Sequence, residues 1–261
     1  MPVWGRRHAA AVLFTLACAP VAAAQSAPPP PADGGAQLLP RADFLFSWAR
    51  LIATDRRFEW EGRVGIDFDI VDYGTGRVSF RSDYNAVVGR QRRRYDLNQG
   101  YYFFEGTASY RLHHGVELAG VISHVSRHIV DRENQPAISW NAIGMRARYA
   151  RSRIDGHLEL THAMKLAYVD YTWIVNAGVR GNHPISRRTS IIGRAYGEVF
   201  GVNHLVRDRR VCGGFVEGGL RINGRKAAIE LFAGYERRVD AYPTDRYRVR
   251  MFNFGFRVVS R

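Results

Sequence analysis

The chain has 261 residues and a formal net charge of +14, and its basic residues are arginines apart from Lys165 and Lys226. Only Cys18 and Cys212 are cysteines. Because Cys18 falls in a leader segment, the rest of the chain cannot form an intrachain disulfide. No later segment reaches the roughly 18 consecutive apolar residues that a membrane-spanning helix needs. These features exclude a disulfide-stapled secreted domain and a helical membrane protein.

Residues 1–24 have the features of a secretion signal, with Arg6 and Arg7 before a short apolar run and alanines at positions 22–24. We therefore expect a signal peptide at 1–24, a Pro- and Gly-rich disordered spacer at 25–40, and one folded domain at 41–261. Export argues against nucleic acid as the partner of this basic chain. Arginine binds phosphate in a bidentate manner, so membrane lipids that carry phosphate are the expected partners.

The folded region alternates apolar and polar residues with a period of two, which is typical of β-strands. In the segment 59–70, for example, Val64 and Ile66 share one face while Glu61 and Arg63 share the other. A strand with lipid on one side and water on the other has this pattern. About 12 such strands predict an all-β fold, an antiparallel transmembrane β-barrel of the bacterial outer membrane.

The predicted strands cover residues 59–70, 77–88, 102–112, the two arms of a hairpin at 116–149, 154–166, 171–182, 189–202, 213–222, 227–237 and 246–259. The stretch 44–53 is either the first strand or a short helix. Short connections near residues 74, 114, 152, 186 and 224 alternate with long ones near 94, 132, 208 and 242, and the one near 168 fits either class. Short periplasmic turns and long external loops alternate in outer-membrane barrels.

The long connections contain most of the arginine clusters, so we expect a basic external rim. A rim of this kind would contact the phosphates of phospholipid headgroups or of lipopolysaccharide. The side chains expected to make these contacts are Arg92, Arg93, Arg94, Arg127, Arg132 and His128.

The hairpin at 116–149 contains a possible catalytic set. Side chains two residues apart share a face of a strand, so His124 and Ser126 point the same way. Asn141 on the returning arm shares the face opposite to Arg146, which would line the wet interior. All three polar side chains are therefore predicted to face lipid, where polar groups are costly and usually functional. A serine nucleophile needs a base, and the base needs a third group to orient it.

The pattern His124-x-Ser126 followed by Ser139-Trp140-Asn141 resembles the outer membrane phospholipase A family. The resemblance implies a 12-stranded barrel in which Ser126 is the nucleophile, His124 the general base and Asn141 the residue that orients His124. It also implies calcium activation and a calcium-linked homodimer. The position of a calcium-binding serine of that family is Ala137 here, which departs from the pattern.

Two alternatives stay open. The His-x-Ser motif also resembles that of barrel lipid A deacylases, which would use the same Ser126 and His124. The third possibility is a barrel without enzymatic activity, either a structural protein or a small channel. No cofactor other than the calcium implied by the resemblance is assigned, the metal site is unknown, and a homodimer is possible.

Overall fold

The computed structural model describes residues 35–130, 137–203, 210–243 and 247–260. These residues form 13 strands and a short 3-10 turn at His113–Gly115, and none of them belongs to a helix long and apolar enough to cross a membrane. The strands are β1 Gln37–Leu38, β2 Ala42–Ala53, β3 Trp60–Asp72, β4 Gly76–Gly89, β5 Asp96–Arg111, β6 Val116–Ile129, β7 Ile138–Arg151, β8 Ile154–Ala167, β9 Tyr171–Pro184, β10 Thr189–Val202, β11 Val211–Asn223, β12 Ala227–Arg238 and β13 Val249–Ser260.

Strands β2 to β13 form a closed antiparallel barrel. Each strand pairs with the next in the chain, and β13 returns to pair with β2. The two-residue β1 is an addition to β3, with Gln37 opposite Asp72. Closure leaves no open sheet edge among the 12 barrel strands, so their backbone hydrogen bonds are satisfied within the barrel.

The closing seam between β2 and β13 is also held by side chains. Ser260 Oγ accepts a hydrogen bond from the backbone N–H of Phe44 at 3.1 Å. The same hydroxyl donates to Asp43 Oδ1 at 2.8 Å. The last described residue is thereby joined to the start of the first barrel strand.

The outer surface is apolar across its middle. On β6 and β7, Ile122 is 60% exposed and Met145 is 63% exposed, whereas their neighbours Val121 and Ala142 are buried. Phe252, Phe254 and Phe256 are exposed in the same way on β13. This alternation follows from the period of two along a strand, with apolar side chains facing lipid and the intervening ones facing the interior.

The periplasmic half of the interior is filled by ion pairs. Arg77 contacts Glu117 at 2.8 Å and Asp69 at 3.3 Å. Glu230, whose side chain is fully buried, is contacted by Arg180, Arg194, Arg221 and Arg257 at distances between 2.5 and 3.7 Å. The predicted polar interior is confirmed, and these charged groups are paired, as the low local dielectric requires.

The connection between β12 and β13 folds into the external half of the interior. Val239 packs in a cluster with Trp140, and Ala241 packs in a second cluster with Leu51. Asp240 lies between them, fully buried, and accepts a hydrogen bond from the Tyr171 hydroxyl. We refer to residues 239–242, all buried, as the mouth segment.

Two of the cavities inside the barrel have volumes of about 130 and 170 Å³, and both are lined by Tyr101, Arg127 and Glu198. Ala241 of the mouth segment lines the first of them, and its carbonyl accepts a hydrogen bond from Gln99 Nε2 at 2.9 Å. The described part of the interior thus contains small cavities among its charged side chains.

The predicted all-β barrel of about 12 strands is confirmed, and the stretch 44–53 is a strand rather than a helix. The short connections near 74, 114, 152, 186 and 224 all lie at one end of the barrel, as expected. The connection at 168–170 lies at the opposite, external end with the long loops. Residues 37–38 of the predicted spacer form β1, which the sequence did not suggest. The predicted signal peptide lies outside the described residues.

Candidate functional site

The register of the central hairpin brings the predicted residues onto one face. His124 lies directly opposite Asn141, and Ser126 lies directly opposite Ser139. This parity is shared with the exposed Ile122, whereas Val125 and Trp140 point into the interior. Ser126, His124 and Asn141 therefore belong to the outward, lipid-facing surface, with Ser126 in the second and His124 and Asn141 in the fourth residue pair from the external loop.

His124 and Asn141 form a hydrogen-bonded pair. The Nδ1 atom of His124 lies 2.6 Å from Asn141 Oδ1. Because an amide oxygen only accepts, the ring donates from Nδ1, and this leaves the lone pair of Nε2 available. Phe104 on β5 stacks beside the ring with centroids 6.4 Å apart. The pair matches the orienting contact that the sequence predicts for Asn141.

Ser126 has a different histidine partner. Its Oγ lies 2.7 Å from Nε2 of His128, and no hydrogen bond joins it to His124 among the described residues. The sequence places His128 on the same face as His124, two residues beyond the serine, but we had expected it to contact only headgroups. The repeated spacing His124-x-Ser126-x-His128 was the signal for this contact, since both histidines flank the serine along one strand face.

Aromatic rings of β4 and β5 surround this pair. The Tyr102 ring meets the His128 ring edge-on at 5.6 Å, and it contacts the Tyr84 ring at 4.8 Å. Tyr102 is also the direct cross-strand neighbour of Ser126. Ser126 is only 7% exposed while His128 is exposed, so the serine lies beneath its neighbours and the histidine lies at the surface.

A β-bulge lies next to the candidate site. Ser139 pairs with Ala167 of β8 but Asn141 pairs with Met164, so β8 has one extra residue at this point. Lys165 within the bulge has a φ of 48°, in the left-handed region that non-glycine residues seldom adopt. Bulges bend a strand and occur often beside active sites. Here the bulge lies on the strand adjacent to Asn141.

The structure places the residues that were predicted to contact lipid headgroups in different parts of the barrel. The prediction that Arg127 contacts a lipid headgroup is wrong. Arg127 points into the barrel, where its guanidinium donates to the carbonyls of Val239 and Asp240 at 3.1 and 2.9 Å. Its parity is opposite to that of Ser126, which explains the error. Arg92, Arg93 and Arg94 are exposed in the external connection between β4 and β5. Arg132 lies outside the described residues.

The residues near Ser126 do not fit the calcium site that the resemblance implies. No group of three or more His, Cys, Asp or Glu side chains that could hold a metal occurs in the part of the chain that the structure describes. Ala137 has no side-chain oxygen to offer, and calcium is bound by oxygen ligands. We therefore derive no step through calcium.

No family model matches the chain, and no curated protein matches its sequence. Among solved structures, the KdgM porin is similar over 82% of this chain and 97% of its own, with 7% identity and a TM-score of 0.49. The translocator domain of the autotransporter NalP from Neisseria meningitidis covers 83% of this chain and 87% of its own, with 10% identity and a TM-score of 0.41. The Salmonella typhi OmpF complex with daunomycin is similar over 87% of this chain and 98% of its own, with 8% identity and a TM-score of 0.42.

The strand pairing and the outer surface of this chain identify the class of membrane protein to which it belongs. A closed barrel with an exposed apolar band, a charged interior and short turns at one end is the architecture of an outer-membrane protein. The chain is a 12-stranded antiparallel β-barrel of the bacterial outer membrane.

Proposed function

We propose that the outward face of β6 and β7 hydrolyses acyl esters of outer-leaflet lipids, as the resemblance to outer membrane phospholipase A implies. One observation carries the proposal: Ser126, His124, His128 and Asn141 form two hydrogen-bonded pairs on a lipid-facing surface. Placing polar side chains against lipid costs free energy, and a reaction on lipid would explain why these side chains occupy this position.

Ser126 supplies the nucleophile in this proposal. Its Oγ attacks the ester carbonyl, a histidine takes its proton, and the alcohol leaves with a proton from that histidine. Water then cleaves the acyl-serine and releases a fatty acid. The resemblance assigns the base to His124, which Asn141 would orient through a neutral hydrogen bond, a weaker support than a carboxylate provides.

The substrate is a phospholipid in this proposal, with its headgroup at the external rim. Arg92, Arg93 and Arg94 belong to the loop that ends at β5, the strand beside β6, so they are the nearest described cluster of exposed arginines in strand order. A charge-assisted bond to phosphate would hold the headgroup there while the acyl ester reaches Ser126. The same resemblance implies a homodimer, which can be tested by measuring the oligomeric state in detergent.

The experiment is phospholipid hydrolysis by the full chain refolded in detergent micelles, with and without added calcium. Ser126→Ala is expected to abolish the release of fatty acid. Ser123→Ala is the matched control, because Ser123 lies on the same strand and lines an interior cavity. Equal hydrolysis by the parent protein and Ser126→Ala would refute the proposal.

A barrel without enzymatic activity is the second candidate, and a specific observation favours it. Ser126 is almost fully covered, and its partner is not the histidine that Asn141 orients. Polar residues near the membrane interface could satisfy one another in this way without chemistry. Absence of hydrolysis, combined with unchanged lipid A in cells that produce the protein, would support this candidate. Altered acylation of lipid A would instead indicate a deacylase that uses the same serine.

A further inference from the structure

We infer that His128, rather than His124, is the catalytic residue that accepts the proton of Ser126. The inference rests on the proposed hydrolase and adds a residue that the resemblance does not assign. It starts from the 2.7 Å contact between His128 Nε2 and Ser126 Oγ. A general base must lie within about 2.6–3.2 Å of the atom whose proton it takes, and His128 meets this condition.

The second histidine makes a different contact. His124 donates from Nδ1 to Asn141 across the hairpin, and no hydrogen bond joins its Nε2 to Ser126 among the described residues. Successive same-face residues of a strand are about 6.6 Å apart, so Ser126 can turn toward either histidine but can donate its one proton to only one of them at a time. The structure places its hydroxyl on His128.

The surroundings fix the position of His128. The Tyr102 ring packs edge-on against the imidazole, and Gly100 lies directly opposite His128 on β5. Gly100 has no side chain, and a Cβ there would come within 3.2 Å of the Tyr84 hydroxyl. The space above Gly100 is thus taken by the Tyr84 ring, which packs against Tyr102, and Tyr102 in turn contacts His128.

The two partners differ in exposure. His128 is exposed and therefore accessible to the leaving alcohol and to water, whereas Ser126 is covered and has to be uncovered before an ester carbonyl reaches its Oγ. During attack, the Oγ–H proton moves to His128 Nε2 as the bond from Oγ to the carbonyl carbon forms. The bond from that carbon to the alcohol oxygen then breaks, and His128 returns the proton to the alcohol. The same ring takes a proton from water in the second half-reaction, so each turnover consumes one ester and one water.

The test is the rate at which a fluorophosphonate probe labels Ser126 in the refolded full chain, beside ester hydrolysis in micelles. His128→Ala is expected to slow labelling by about 100-fold or more, the usual effect of removing a general base. His128→Asn should be equally slow, since it can hold the serine but cannot take its proton. His162→Ala is the matched control, because His162 is an exposed residue of β8 opposite the outward Ile143.

The controls separate this inference from the proposed function. Added imidazole is expected to restore labelling in His128→Ala, which a purely structural role would not allow. If His128→Ala and His128→Asn are labelled as fast as the parent while His124→Ala is slow, His124 is the base and the inference is overturned. If Ser126→Ala hydrolyses ester like the parent, the proposed function itself fails. A shift in gel mobility on heating verifies that each variant has folded, and His128→Asn decides the matter if the alanine variant does not fold.

Discussion

His124 Nδ1 and Asn141 Oδ1 lie 2.6 Å apart as a direct cross-strand pair on the lipid-facing side of the barrel. Both residues belong to paired strands rather than loops, so the contact is fixed by the backbone ladder of β6 and β7. A pair fixed in this way keeps one tautomer and one orientation of the ring. Its effect on the chemistry of Ser126 can be measured directly.

If His124 takes the Ser126 proton, as the resemblance implies, replacing Asn141 by alanine reduces ester hydrolysis by about 5- to 10-fold, because a neutral hydrogen bond is worth about 1 kcal/mol. If His128 takes that proton, as we infer, the same replacement leaves the rate near that of the parent. Asn141→Asp should retain or raise the rate, since a carboxylate also accepts from Nδ1–H of His124. Initial rates of phospholipid hydrolysis in micelles measure both variants. An Asn141→Ala protein as active as the parent would show that the pair has no part in the reaction.

Replacing Glu230 by glutamine is expected to lower the free energy of unfolding by about 3–5 kcal/mol. The change leaves four arginines around a neutral amide, and although Arg194 and Arg257 still contact Glu217, the cluster loses its central negative charge in a buried position, which is strongly destabilising. The urea dependence of unfolding in micelles measures the difference. Asp67→Asn is the control, because Asp67 is 29% exposed and its partner Arg41 keeps Asp43 and Asp69. A midpoint for Glu230→Gln equal to that of the control would contradict the prediction.

Loosening the mouth segment is expected to raise ion conductance several-fold. Arg127→Met with Tyr171→Phe removes three hydrogen bonds to residues 239 and 240 and retains the bulk of both side chains. The mouth segment is then held less tightly in the interior, where the hydrogen bond from Gln99 to the Ala241 carbonyl remains. Single-channel recording in planar bilayers measures the effect, with Arg92→Ala in the exposed β4–β5 connection as control. Large conductance already present in the parent protein would show that the segment does not close the barrel.

Substituting Gly144 by alanine is expected to destabilise the barrel by about 1–3 kcal/mol, the usual cost of overpacking. A Cβ at Gly144 would lie 2.0 Å from the backbone oxygen of Leu160 on β8, so the two strands would have to separate. Gly181→Ala is the matched control in another strand, since nothing lies within 4 Å of its added Cβ. Urea unfolding compares the two variants. Similar midpoints would mean that β7 and β8 accommodate the methyl group without strain.

The sequence predicted the barrel well because its strands obey one simple rule, lipid on one side and water on the other. The same rule placed Ser126, His124 and Asn141 on the outward face, where the register of β6 and β7 puts them. The same alternation predicts that Arg127 faces the interior, because its parity along β6 is opposite to that of Ser126. The assignment of Arg127 followed instead from its proximity to a basic loop in the sequence.

Other features depend on contacts that periodicity does not describe. His124 and His128 lie at equal spacing from Ser126 along the strand. Only the orientation of the side chains determines that Ser126 bonds to His128. The mouth segment folds inward because Val239 and Ala241 find apolar clusters between strands that are distant in sequence. The bulge at Lys165 is similarly invisible in the sequence, since no glycine or proline marks it.

The seam at Ser260 has a consequence for how the barrel is made. Its two contacts join residues separated by 216 and 217 positions, almost the whole span of the barrel domain. Every other strand pair of the barrel joins neighbours in the chain, so eleven hairpin pairings can form locally while closure must wait for the C-terminus. Ring closure over such a distance carries the largest loop entropy and the slowest pairing in the fold. An assembly intermediate would therefore be an open, curved sheet with β2 and β13 as its free edges, and insertion into the membrane would be complete only when these two edges meet.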